Sequence, residues 1–197
     1  VEDRFGHQIS YLRLSITDRC NERCRYCLPQ ETQEWLPREG VLTYEEIIRI
    51  TRIGASLGVK KLRVTGGEPL VRRGVTGLIR ALHAIPGIND IGLSTNGTLL
   101  ASPDPDGPPD ATMAQQLADA GVRTINVSLD TLAPAAYALA TGRDFLPKVL
   151  AGLDAAAGDD QAQARTGETC GRHAARSAEP PRRASALPLQ ERPRHDV

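Results

Sequence analysis

The 197-residue chain carries 24 Lys+Arg and 24 Asp+Glu, so its formal net charge is zero. That balance gives no reason to expect a nucleic acid or an acidic membrane surface as partner. No apolar run reaches the length of a membrane span. Four cysteines are too few for a disulfide framework and no secretory signal is visible, so free thiols in a reducing cytoplasm are expected.

In chain order, Ile9-Ser10-Tyr11-Leu12-Arg13-Leu14-Ser15-Ile16 alternates apolar and polar residues and reads as a strand. Cys20, Cys24 and Cys27 follow directly, spaced C-x3-C-x2-C. Three thiolates this close can hold three irons of a cubane cluster and leave the fourth iron open for a substrate, whereas an electron-transfer cluster is normally held by four. Zinc or plain thiols are the competing readings. Zinc usually wants two separated pairs of ligands, and the next cysteine is Cys170. His7 is the nearest histidine, and a lone histidine near a terminus is more often simply solvated.

Thr43-Tyr44-Glu45-Glu46 is a capping box, and Ile47, Ile50, Ile53 and Leu57 recur behind it at helical spacing up to Gly58. Lys61–Thr65 reads as a strand ending at Gly66-Gly67-Glu68-Pro69. The two glycines would let the backbone approach a ligand closely; the competing reading is an ordinary turn. Val75, Leu78, Ile79 and Leu82 form a helical stripe, Ile91–Thr95 a strand, and Asn96-Gly97 its closing turn. The Pro/Asp-rich stretch 102–109 reads as a solvated insertion. Asp110 is the candidate cap of a helix through Leu117, stopped by Gly121. Thr124–Leu129 is a further strand, and Phe145, Val149, Leu150 and Leu153 mark a last helix. Alternating strands and helices predict an α/β fold, either the front of a (β/α) barrel or a doubly wound sheet. In both, chemistry gathers at the carboxyl ends of the strands, where the cysteine loop, Gly66–Pro69, Ser94–Asn96 and Ser128–Asp130 all fall.

From 158 the character changes. Residues 158–197 hold seven Arg, seven Ala and four Pro, with no lysine and no aromatic. Such a segment cannot offset its ordering entropy by burial. It is expected to be disordered, either as a natural tail or as an out-of-frame one.

Cys20, Cys24, Cys27 and Tyr26, followed by Gly66-Gly67-Glu68-Pro69, resemble the radical S-adenosylmethionine (SAM) superfamily. Leu12–Cys20, Arg63–Arg73, Ile91–Gly97 and Ile125–Asp130 resemble, more narrowly, the GTP 3′,8-cyclase family of molybdenum cofactor biosynthesis. The resemblance runs from about Asp3 to Ala157. It implies the N-terminal part of a radical SAM partial (β/α) TIM-type barrel over 1–157, with the tail at 158–197.

By the same resemblance, Cys20, Cys24 and Cys27 would hold one [4Fe–4S] cluster whose open iron chelates the amino and carboxylate groups of SAM. Tyr26, Gly67 and Ser128 would line the SAM site, with Glu68 near its ammonium. Arg13, Arg63 and Ser94 match positions that contact GTP, although the family usually has Thr at the position of Ser94. Structural ion pairs for Arg13 and Arg63, and a plain strand end at Ser128, are the competing readings. The implied activity is a lyase reaction. SAM is cleaved reductively, hydrogen leaves C3′ of the GTP ribose, and C3′ joins C8 of guanine to give (8S)-3′,8-cyclo-7,8-dihydroguanosine 5′-triphosphate. A reductant such as flavodoxin or ferredoxin and a partner enzyme making cyclic pyranopterin monophosphate are implied, and a homodimer is compatible.

Two parts of the family pattern are not recognisable: the second cysteine set, which holds another cluster, and a GTP-contacting lysine. The expectation is therefore weak binding of one cluster, no completed cyclisation, and an exposed sheet edge. The alternatives are an inactive cluster-binding fragment of a broken gene, or another radical SAM enzyme such as a peptide modifier. Arg63 together with Arg72-Arg73 argues for a triphosphate over a peptide.

Overall fold

The computed structural model describes Glu2 and residues 4–27, 34–158 and 163–164. These residues fall in one compact unit, 1–167. Cys170 and the rest of the tail lie outside the described residues.

The strands are β1 (Tyr11–Ser15), β2 (Lys61–Thr65), β3 (Asp90–Thr95), β4 (Thr124–Val127) and β5 (Gln163–Ala164). They pair in parallel in the order β1-β2-β3-β4-β5. Consecutive order means that every crossover moves the chain in the same direction, as in a barrel. A doubly wound sheet would reverse its order at a switch point. The barrel reading therefore holds. The sequence reading ended the ordered domain at 157, and β5 adds a short strand beyond it.

The crossovers carry α1 (Tyr44–Ser56), α2 (Val75–His83), α3 (Met113–Asp119), α4 (Pro134–Thr141) and α5 (Leu146–Ala157). One face of the sheet packs on them. Leu14, Leu62, Val64, Ile91, Leu93 and Ile125 join Ile47, Leu78, Ile79, Leu82 and Leu117 in one buried cluster. Side chains alternate along a strand, so Arg13, Arg63, Ser94 and Asn126 all lie on the opposite, open face.

Several local expectations are corrected. The capping box at Thr43 and Glu46 forms, but of the α1 stripe only Ile47 is buried; Ile50, Ile53 and Leu57 are exposed. The α1 face that meets the core instead carries Thr51 and Ala55, so part of the apolar stripe points to solvent. The cap of α3 is Thr112, paired with Gln115 in a capping box, and not Asp110. Stretch 102–109 is solvent-exposed along most of its length, but it is anchored at two aspartates. Asp104 is 4 % exposed and accepts a 2.7 Å hydrogen bond from Thr76 Oγ1, while Asp106 accepts from the Gly74 N–H. These bonds pin the stretch to the start of α2. α4 was not anticipated at all.

Candidate active site

The cysteine loop leaves the end of β1 and is held from two sides. On one side, Asn21 donates to Thr98 Oγ1 and accepts from Asn96 Nδ2, both at 2.8 Å. Asn96 Oδ1 in turn accepts from the Thr98 N–H and hydroxyl. This triangle of short polar side chains ties the loop to the turn after β3. On the other side, the N–H groups of Arg23 and Arg25 donate to Thr141 O and Ala140 O, at 2.8 and 2.9 Å. The C-terminus of α4, unforeseen in the sequence, is thus a docking point for the loop.

Beneath the loop lies Glu22, 4 % exposed. Its carboxylate accepts from the Tyr137 hydroxyl of α4 and from the Cys24 thiol, the latter at 3.6 Å. Burial pushes the Glu22 carboxyl above its usual range. Burial also raises the Cys20 thiol, and burial with the Glu22 charge beside it pushes Cys24 up to about 11. Arg23 reaches back to Cys20 O and Glu22 O, at 2.6 and 2.7 Å, and stacks over Trp35. Sequence reasoning missed Glu22 and Tyr137. The only available signal was an acid inside the cysteine motif, and its partner stands 115 residues away.

Cys20, Cys24 and Cys27 are free thiols, half-buried, half-buried and exposed respectively. The Cys27 N–H donates to Cys24 O at 3.0 Å, so the last two sit on one tight turn. Among the described residues, no group of three or more His, Cys, Asp or Glu side chains is gathered as a cage for a single metal ion. His7 packs near Phe5, with ring centroids 6.4 Å apart. The donor chemistry fits a cluster, in which each thiolate takes its own iron. Ligation has to displace the thiol protons, as it does at any thiolate site.

Gly66 and Gly67 let two backbone segments meet. A Cβ at Gly67 would stand 2.4 Å from Arg19 O and 2.5 Å from Asp18 O; one at Gly66 would stand 2.5 Å from Thr17 O. The Gly67 and Glu68 N–H groups donate to Thr17 O and Arg19 O at 2.7 and 2.8 Å. The glycines thus let the backbone leading into Cys20 lie directly against the end of β2. Glu68 is likewise not a free carboxylate. It is 1 % exposed and accepts from the Leu70 N–H, the Asn96 N–H and Thr95 Oγ1 at 2.7–2.9 Å. Burial outweighs these three bonds and pushes its carboxyl up to about 7. Ser128 is exposed at the end of β4, and its N–H donates to Thr95 O. Tyr26 is 70 % exposed and donates to Asp130 Oδ2 at 2.7 Å. Cys20, Cys24, Cys27, Tyr26, Gly67, Glu68 and Ser128 therefore share the carboxyl-end rim of the sheet.

On the open face, Arg13 stands directly beside Arg63 in register. Arg63 lies flat across Gly92, where a Cβ would meet its guanidinium carbon at 2.7 Å, and donates to Leu93 O at 3.3 Å. Ser94, half-buried, sits one step further toward the rim. Arg72 and Arg73 do not join this pair, which corrects the expectation that they converge on one anion with Arg63. Arg72 donates to Ile16 O and Leu42 O and stacks on Tyr44. Arg73 faces Asp106 at 3.6 Å. Both line a separate cavity of about 700 Å³ with Arg19 and Arg38.

The profile of the Radical SAM superfamily matches residues 14–159. The chain belongs to the radical SAM superfamily. Membership implies a [4Fe–4S] cluster and SAM. Among curated proteins, the chain is 50 % identical over 156 residues to a GTP 3′,8-cyclase of Erythrobacter litoralis, covering 78 % of this chain and 44 % of that one. It is 47 % identical over 154 residues to GTP 3′,8-cyclase 1 of Pseudomonas aeruginosa, covering 78 % and 44 %. The chain thus spans less than half the length of these relatives. Among solved structures, HydG, a maturase of the [FeFe]-hydrogenase, matches with a TM-score of 0.59 at 20 % identity, covering 78 % of this chain and 34 % of that one. That likeness supports the fold. Among the described residues, no helix is long and apolar enough to cross a membrane.

Proposed function

We propose that this chain provides the cluster- and SAM-binding rim and part of the nucleotide-binding face of a GTP 3′,8-cyclase. The observation that carries this reading is the in-register pair Arg13 and Arg63. Two like charges on neighbouring strands, about 4.8 Å apart in backbone, repel each other in the absence of an anion. Neither has an acidic partner among the described residues, so neither is a structural ion pair there. A polyphosphate would neutralise both, and the guanidinium fork suits its oxygens.

Cys20, Cys24 and Cys27 would hold the cluster. When bound, the cluster supplies the electron for reductive cleavage of SAM and an open iron for its amino and carboxylate groups. Gly67, Glu68, Tyr26 and Ser128 would surround SAM, with Glu68 contributing a buried negative charge near the ammonium. The asparagine triangle and α4 hold the cysteine loop still, and the protein's share of the chemistry is this positioning. GTP as substrate, a flavodoxin- or ferredoxin-type reductant and a downstream enzyme making the pyranopterin belong to the same proposal.

The test is deuterium transfer. With GTP deuterated at C3′, reconstituted protein, SAM and dithionite, the account expects deuterium in the 5′-deoxyadenosine formed. Cleavage of SAM with no deuterium incorporated and no dependence on GTP would overturn it.

A further inference from the structure

Asn126 is a residue on the open face that no role so far has absorbed. It sits inside β4, and asparagine is depleted in strands, where β-branched and aromatic residues pack better. It is exposed, and among the described residues its side-chain amide has no hydrogen-bond partner. It pairs in register with Ser94, and Gly92, over which Arg63 lies, is two residues back along β3.

These positions form an ordered ladder from the amino to the carboxyl side of the sheet. Beyond the Lys61–Asp90 pair comes the arginine row: Arg13, Arg63, the bare Gly92 and Thr124. The row of Ser94 and Asn126 stands one pleat further, about 6.6 Å along the strand. Ser128 stands one more pleat on, at the rim with Gly67 and the cysteine loop. A nucleoside triphosphate with its phosphates on the arginines reaches the Ser94–Asn126 row with its sugar. That row presents a hydroxyl and an amide, each able to donate and accept, as a vicinal diol requires. The sugar then lies between the phosphate anchor and the SAM rim, where hydrogen has to leave it.

We propose that Asn126 holds the ribose hydroxyls of the nucleotide, making it a substrate-contacting residue that fixes which sugar carbon faces SAM. This rests on the cyclase reading and adds to it a named sugar contact.

The experiment is a ligand-by-residue cycle on the reconstituted full chain. Dissociation constants for GTP and 2′,3′-dideoxy-GTP are measured on the native protein, Asn126→Ala and Asn126→Thr, with SAM affinity and thermal midpoint as controls. Asn126→Thr keeps strand propensity, so it separates sugar contact from folding. The native chain is expected to prefer GTP, and both variants to bind GTP about tenfold more weakly, as losing one or two hydrogen bonds does. Their affinity for the dideoxy analogue and for SAM should stay unchanged, so the preference for ribose collapses. GTP affinity unchanged in both variants overturns the assignment and leaves the cyclase reading standing. Weaker binding of both nucleotides with the ribose preference intact also overturns it. A native chain that binds neither nucleotide refutes the cyclase reading and this inference together.

Discussion

Replacing Gly67 by alanine probes the contact on which the site depends. The new Cβ would stand 2.4 Å from Arg19 O and 2.5 Å from Asp18 O, both backbone atoms. Neither can rotate away, because the same segment is tied to β2 by the Gly67 and Glu68 N–H bonds of 2.7 and 2.8 Å. Restoring ordinary contact needs a shift of close to an ångström in the Thr17–Arg19 backbone. That strains or breaks those two bonds, at about 1 kcal/mol each, and adds an overpacking cost of about 1–3 kcal/mol. The expected loss is about 3 kcal/mol, which for a domain of this size lowers the thermal midpoint by roughly 6–12 °C. Gly77→Ala is the control. Nothing lies within 4 Å of its Cβ position, inside α2. There alanine should stabilise by about 0.5–1 kcal/mol. Differential scanning calorimetry of the apo proteins reads both, and iron content after anaerobic reconstitution reads the displacement of Cys20. A Gly67→Ala protein that melts within 2 °C of the native one and holds full iron would refute the close-packing argument.

Glu68 makes apo stability depend on pH. Its folded-state carboxyl is raised from 4.5 to about 7, so its contribution is fully present below pH 4.5 and is lost as pH rises through about 7. The unfolding free energy should fall by about 3 kcal/mol across that window, and in Glu68→Gln the slope should flatten in urea titrations between pH 4.5 and 7. Tyr137→Phe removes one donor from the buried Glu22 and should cost about 1–3 kcal/mol in urea unfolding, whereas Tyr26→Phe, at an exposed hydroxyl, should cost under about 1. Asn96→Ala unties the cysteine loop from β3 while sparing the cysteines. Its reconstituted cluster should lose iron to a chelator several-fold faster than the native one.

Strands β1 to β4 were legible because apolar residues alternate with polar ones or glycine between turn residues, and their ends carry the motifs. α4 was not legible. Pro134-Ala135-Ala136-Tyr137-Ala138-Leu139-Ala140-Thr141 has too few large apolar residues to show a periodicity, and its N-cap Ala133 makes no side-chain bond. Only Pro134 at the start and Gly142 after the end pointed to it, a proline–glycine asymmetry that marks helix boundaries. The cysteines and the arginine pair were visible as motifs, but Glu22–Tyr137 and Asp104–Thr76 were not, since each bond joins residues far apart in sequence. Gly66-Gly67 was legible as a place of close backbone approach, but the motif did not show that the Thr17–Arg19 backbone packs against it.

The central claim is that three cysteines on this rim hold a cluster with one iron open to SAM. Anaerobic reconstitution followed by metal analysis and a dithionite-driven SAM cleavage assay tests it in one preparation. The account predicts about four irons per chain and equal amounts of methionine and 5′-deoxyadenosine, both lost when Cys24 is changed to serine. A chain that takes up zinc in place of iron, or that holds iron and leaves SAM intact under dithionite, would contradict it.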